Sequence, residues 1–164
     1  MRILVAVSMI VAATALSGCG KHDTKTYTDG KGNSVAVSNS GDGHMTITGS
    51  NGEKMEIGSG ASATAKMPPY LPLYSGAKVT TSITGNGKDG VGGMVAFQVA
   101  ASPSDVVNFY KEKTTAAGMA QTMSAEMGGT TTYVAANDKT KQTASISATK
   151  GSDGTTVQIT WSAK

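Results

Sequence analysis

Apolar residues fall along this chain in three regimes. From Ile3 to Leu16 they form a run of 14 residues broken only by Ser8 and Thr14. From Gly20 to about Lys66 they are sparse. They come there as short alternating pieces, Val35/Val37, Met45/Ile47 and Met55/Ile57, separated by the turn pairs Asp29-Gly30, Asp42-Gly43 and Asn51-Gly52. Gly, Asn and Asp tolerate positive φ, so such pairs suit tight hairpins. Met45-Thr46-Ile47-Thr48 returns ten residues later as Met55-Glu56-Ile57-Gly58. The zone predicts a Gly-rich β-meander or a partly disordered stalk, because three short strands with so few apolar side chains are marginal by themselves. Gly58 to Ala65 has the composition of a flexible linker.

The third regime runs from residue 67 to residue 164 and is more strongly patterned. Three prolines between Pro68 and Pro72 exclude helix and inner strand. Strands are predicted at Val79–Thr84 and Val91–Ala100, with Val95, Phe97 and Val99 on one face. Ser102, Pro103 and Asp105 supply an N-cap, a proline in the first turn and an acid near the orphan amides. The stripe Val106/Val107, Phe109/Tyr110, Thr114 and Ala117 then predicts a helix over about 103–117, stopped at Gly118. Three further strands follow at Thr131/Tyr133/Ala135, Ala144/Ile146/Ala148 and Val157/Ile159/Trp161, the last with Thr156, Gln158 and Thr160 opposite. The predicted fold class is therefore α+β: a two-layer antiparallel sheet, wet on one side and covered by one helix on the other.

Pro72-Leu73-Tyr74-Ser75-Gly76-Ala77, Ser102-Pro103-Ser104-Asp105, Phe109-Tyr110-Lys111 and Ala117-Gly118-Met119 together resemble a module of small, uncharacterised exported bacterial proteins. Ser75 stands where Pro is usual in that module, and Met119 where Trp is usual. The resemblance implies a fold and no activity.

The first regime changes the picture of where the chain works. Arg2, the apolar run and the small residues before the single cysteine have the layout of an export signal. A run of 14 residues is short of the roughly 20 that a spanning helix needs. Leu16-Ser17-Gly18-Cys19 resembles the lipobox of bacterial lipoproteins. That resemblance implies removal of residues 1–18, a lipid on Cys19 and membrane tethering through it. Gly20 after the cysteine, in place of Asp, implies the outer membrane with the chain facing the periplasm. The predicted organisation is thus a signal peptide (1–18), a lipid anchor with a polar stalk (19–66) and an α+β globular domain (67–164). With one cysteine, no internal disulfide can form.

Composition removes several function classes. After loss of Arg2 the chain keeps 13 Lys against 11 acids, scattered without a run of like charge. It has no guanidinium for bidentate phosphate contacts and no Lys stripe, so no nucleic-acid partner is expected. Gly85-Asn86-Gly87-Lys88-Asp89-Gly90 spells GxGxxG, but between two strands it reads as a hairpin loop, and no cofactor is expected. Ser147-Ala148-Thr149-Lys150 spells SxxK within a strand alternation, where Lys is not presented beside Ser. His22 and His44 lack metal-ligand spacing. Lys31 and Ser34 spoil a calcium loop at Asp29. The acids of the globular part, Asp89, Asp105, Glu112, Glu126, Asp138 and Asp153, are scattered rather than paired.

Met119, Met123 and Met127 remain as candidate metal residues. Thioethers are soft ligands for Cu(I), and this spacing shares one face in a helix and also in a regular strand. The sequence therefore predicts a non-enzymatic, lipid-anchored envelope protein that binds or organises an unidentified envelope protein or small ligand. Cu(I) or small-ligand handling is the alternative.

Overall fold

The computed structural model describes residues 23–60, 63, 66–88 and 90–164. Leu16, Ser17, Gly18, Cys19 and His22 lie outside them. Ten strands and one helix follow in the order β1 (Asp23–Thr28), β2 (Ser34–Asn39), β3 (His44–Gly49), β4 (Lys54–Ser59), β5 (Lys78–Gly87), β6 (Gly90–Val99), α1 (Pro103–Ala116), β7 (Ala120–Met127), β8 (Thr130–Asn137), β9 (Gln142–Gly151) and β10 (Gly154–Ala163). The strands form one antiparallel sheet ordered β1-β2-β3-β4-β5-β6-β10-β9-β8-β7. The α+β expectation holds, with one helix packed on the sheet. The early strands are not separated from the later ones: β4 pairs with β5 from Lys54↔Asn86 to Ser59↔Thr81. No helix among the described residues is long and apolar enough to cross a membrane.

The chain leaves β6 in the middle of the sheet and re-enters at the far edge as β7. The crossing passes β10, β9 and β8, about 19 Å at the usual strand spacing, and the 14 residues of α1 reach about 21 Å. Ser102 caps the helix as its sequence position predicts. Its Oγ accepts from the Asp105 amide at 3.1 Å and donates to the Asp105 carboxylate at 2.7 Å. At the other end Gly118 takes φ +74, which lets the Met119 amide turn back to the Thr114 carbonyl at 3.0 Å.

α1 packs over β7, β8 and β9. Val106, Val107, Tyr110 and Thr114 are its buried residues, and the first three join Val95, Phe97, Val99, Tyr133, Ala135, Ala144, Ile146, Ala148, Val157, Ile159 and Trp161 in one apolar core. Leu71 is fully buried, and Met67, Tyr70 and Tyr74 pack against the same core. The Pro-rich segment 66–77 thus closes what the helix leaves open on this face.

Register makes the sheet change character along its width. On the inner face, the β6–β10 half is apolar. The β1–β4 half of that face carries Thr24, Thr26, Ser38, Thr46 and Glu56. On the outer face the order reverses. Thr156, Gln158 and Thr160 are exposed on β10, whereas Tyr27, Val35, Val37, Met45, Ile47, Met55, Ile57, Ile83 and Met94 line β1 to β6.

Two buried tyrosines separate the worth of a buried hydroxyl with a partner from one without. Tyr133 Oη lies 2.9 Å from Thr114 Oγ1, which also donates to the Tyr110 carbonyl at 2.8 Å. The Tyr110 hydroxyl is buried with no hydrogen-bond partner among the described residues. Tyr133→Phe is expected to cost about 1 kcal/mol in urea unfolding, and Tyr110→Phe to be neutral or stabilising. Equal losses for the two variants would contradict this assignment.

Candidate functional site

Where α1 stops short, the inner face opens into a cleft of about 370 Å³ lined by Lys54, Glu56, Lys66, Thr84, Asn86 and Trp161, among others. Strand register assembles it. Glu56 on β4 pairs with Thr84 on β5, Thr84 with Gly93 on β6, and Gly93 with Trp161 on β10. Residues in register share a face, so these four form one row across the sheet. Alternation along β4 sends Met55 and Ile57 outward and Lys54 and Glu56 inward.

Glycine at position 93 is what allows the indole to lie there. A Cβ at Gly93 would come within 2.5 Å of Trp161 Cζ2 and 2.6 Å of the Ile83 carbonyl oxygen. Trp161 is 5% exposed and forms an apolar floor. The rim is charged. Lys54 Nζ donates to Glu56 Oε1 at 2.7 Å, and Lys66 Nζ donates to Glu56 Oε2. The Lys66 contact ties the start of the Pro-rich segment to β4. Hydrogen bonds from Lys54 and then Lys66 hold the Glu56 carboxyl well below its ordinary range, at about 2. An anionic group entering the cleft would meet two ammonium donors already gathered on one carboxylate, above an aromatic surface.

A second cleft, of about 440 Å³, lies at the end of the sheet between the β8–β9 turn and the last residues of β10. Asn137, Asp138, Lys141, Gln142 and Lys164 line it, with no aromatic surface. The Asn137 side chain is already engaged with Gly118, Lys139 and Thr140.

The structure places Met119 apart from Met123 and Met127. A β-bulge between Gln121 and Met123 shifts the register of β7 on β8. Met119 is 4% exposed within the core, whereas Met123 and Met127 are 48% and 81% exposed. Met123 pairs with Val134 and Met127 with Thr130, on the face opposite to Tyr133 and Ala135. A regular strand would have kept the three thioethers together, and the bulge separates the first from the other two.

The remaining motifs resolve into structure. Gly85, Asn86 and Gly87 end β5 and Gly90 opens β6, a hairpin as predicted. Ser147 and Lys150 point to opposite faces of β9. The Asp29 carboxylate accepts from the amides of Lys31 and Asn33 and from Asn33 Nδ2, each at 2.9 Å, so the turn itself uses it. These bonds, that of the Asn33 side chain foremost, lower its pKa. His44 begins β3 half-buried, its amide donating to Asp42. No group of three or more His, Cys, Asp or Glu among the described residues could hold a metal ion. Asp105, Glu112, Glu126, Asp138 and Asp153 are exposed.

Comparison with known families adds the decisive observation: residues 78–163 match the START domain-like family, just over half of the chain. The chain belongs to the START domain-like family. The match begins at the first residue of β5 and ends at the last of β10. The START-like unit is therefore the six strands β5 to β10 with α1, and β1 to β4 extend its sheet from the free edge of β5. Trp161, Gly93, Thr84 and Asn86 come from within the unit, while Lys54, Glu56 and Lys66 come from outside it. No curated protein and no solved structure matches the chain.

Sequence reasoning did not single out Lys54, Glu56, Lys66 or Trp161 as a site. The alternation of β4 was visible, but not that β4 would join β5 and bring its inward acid beside Trp161. The Glu56 linkage gives a pH signature. Its carboxyl is depressed in the folded state, so its stabilisation is complete above about pH 4.5 and is lost as pH falls towards 2. Glu56→Gln is expected to lower stability at pH 7 by about 1 kcal/mol, a modest value because both lysines are substantially exposed. Thermal melts of the two proteins should converge between pH 4.5 and about 2. A constant gap down to pH 2 would show that the ion pairs contribute nothing.

Proposed function

We propose that this is a lipid-anchored protein of the bacterial cell envelope whose START-like unit holds a small ligand without transforming it. The observation that carries the reading is the cleft. An apolar floor at Trp161 adjoins two cationic donors, Lys54 and Lys66, held on Glu56. Such a site suits a compact molecule with an apolar body and one anionic group. The apolar part would cover the indole, and the anion would compete with Glu56 for the ammonium groups. Membership in a START domain-like family supports a binding role. Leu16-Ser17-Gly18-Cys19 supports the anchor, and Gly20 supports the outer membrane facing the periplasm. The membrane is then the first partner, through the lipid on Cys19.

Trp161 is the only tryptophan, so the cleft reports on itself. Anilinonaphthalene sulfonate, an apolar anion, serves as a probe. Titration is expected to quench Trp161 emission with saturation, and Lys54→Ala with Lys66→Ala to weaken the probe about tenfold or more, the loss of a charge-assisted contact. An unchanged affinity in the double variant would remove the cleft as the site.

The anchor is tested separately. Cells given a palmitate analogue should label the wild type and not Cys19→Ser. A wild type without label would end the lipoprotein reading.

A further inference from the structure

The apolar residues of β1 to β6 that face away from the helix form continuous rows. Val37 pairs with Ile47 and Ile47 with Met55. Met45 pairs with Ile57, Ile57 with Ile83 and Ile83 with Met94. Tyr27 pairs with Val35 at the outer edge. No other element of the described structure packs on this face, and Tyr27, Val35 and Met55 are 58%, 39% and 43% exposed. The rows end at β10, where Met94 meets Thr160. A polar sheet face is the rule on an unpartnered side, so an apolar one needs an occupant.

We infer that this outer face of β1 to β6 rests on the lipid surface to which the chain is tethered. The inference rests on the envelope reading just proposed. Three observations favour lipid over a second copy of the chain. First, β1 begins four residues after Cys19, and four extended residues reach at most about 14 Å. A lipid on that sulfur would hold the β1 edge at the bilayer. Second, the apolar rows cross six strands and run about six residues along them, roughly 29 by 20 Å of surface. That is less than the roughly 800 Å² each partner buries in a standard protein interface. A bilayer sets no such minimum. Third, Tyr27, the most exposed aromatic of the face, lies on the strand nearest the tether, and tyrosine favours the membrane–water boundary. Asp23 and Lys25 on the same face lie 3.9 Å apart and cancel in charge, so apolar burial rather than anionic lipid drives the contact.

The test uses the mature chain carrying Cys19→Ser, which has no lipid of its own. Vesicles of phosphatidylethanolamine and phosphatidylglycerol are floated with it at low and high salt. The protein is expected to float with the vesicles, with little dependence on salt. Val35→Glu with Met55→Glu should lower the bound fraction tenfold or more. Thr26→Glu with Thr48→Glu, on the inner face of the neighbouring strands β1 and β3, should bind like the parent. Circular dichroism checks that all variants are folded. A parent that does not float, or equal losses for the two pairs, overturns the inference. So does a dimer in sedimentation that Val35→Glu with Met55→Glu dissociates, because the face would then join two copies. Palmitate labelling reads the anchor independently. A labelled wild type whose unlipidated form ignores vesicles keeps the anchor and loses the docking face, and the reverse pair of results does the opposite.

Discussion

The pairing of β6 with β10 holds this molecule together. Strands β1 to β6 form one uninterrupted meander, and β7 to β10 form another. They become one sheet only because the last strand returns beside β6, with Val157 against Phe97 and Ile159 against Val95. All four side chains are fully buried, so the ladder is also the centre of the core. The loop it closes contains α1, whose length matches the strands it must cross. A shorter helix would leave β7 short of the far edge, and a longer one would overshoot it. The cap at Ser102 and the reversal at Gly118 therefore do more than end a helix: they set the reach that lets β10 meet β6.

The same junction explains why the sheet changes sides. A half-buried strand is amphipathic, and a sheet normally keeps its apolar side in register. Here the START-like unit turns its apolar side towards α1 and the segment 66–77. The strands added before it carry their apolar side outward. Across β5 and β6 both faces are partly apolar. Ser82 pairs with Val95 inward while Ile83 pairs with Met94 outward. The extension has no helix of its own, so burying its apolar residues inward would have left them beside Lys54 and Glu56 without cover.

Much of this was legible in the sequence. Alternation located five strands of the START-like unit, and the Ser102-Pro103-Asp105 start located α1 to within a residue or two. β7 escaped because Ala120, Thr122, Ser124 and Ala125 carry no alternation. Its strand is edge backbone, almost wholly exposed, and pairing with β8 defines it more than its side chains do. The placement of the methionine series was not legible for a related reason: a bulge changes side-chain direction without any mark in an alternating pattern. The meander's turns were plain, but not its attachment to β5, because strand partners across the Pro-rich segment depend on the folded sheet. The cleft was invisible for the same cause. Lys54, Glu56 and Lys66 lie far along the chain from Trp161, and only the register brings them together.

The position of the cleft follows from the change of face. Moving along the row from Trp161 through Gly93 and Thr84 to Glu56, the inner surface passes from indole to backbone to hydroxyl to carboxylate within four strands. An apolar sheet that became polar gradually would present no pocket. Here the large ring of Trp161, the missing side chain at Gly93 and the raised rim at Lys66 create a step. Because Lys66 belongs to the segment that also buries Leu71, any motion that releases its contact with Glu56 would loosen the cover of the core beside it. A ligand anion that took both lysines from Glu56 would replace that contact rather than abolish it. The rim could then exchange partners while Leu71 stays buried, which lets one ion-pair cluster serve both the closure of the fold and the recognition proposed for the cleft.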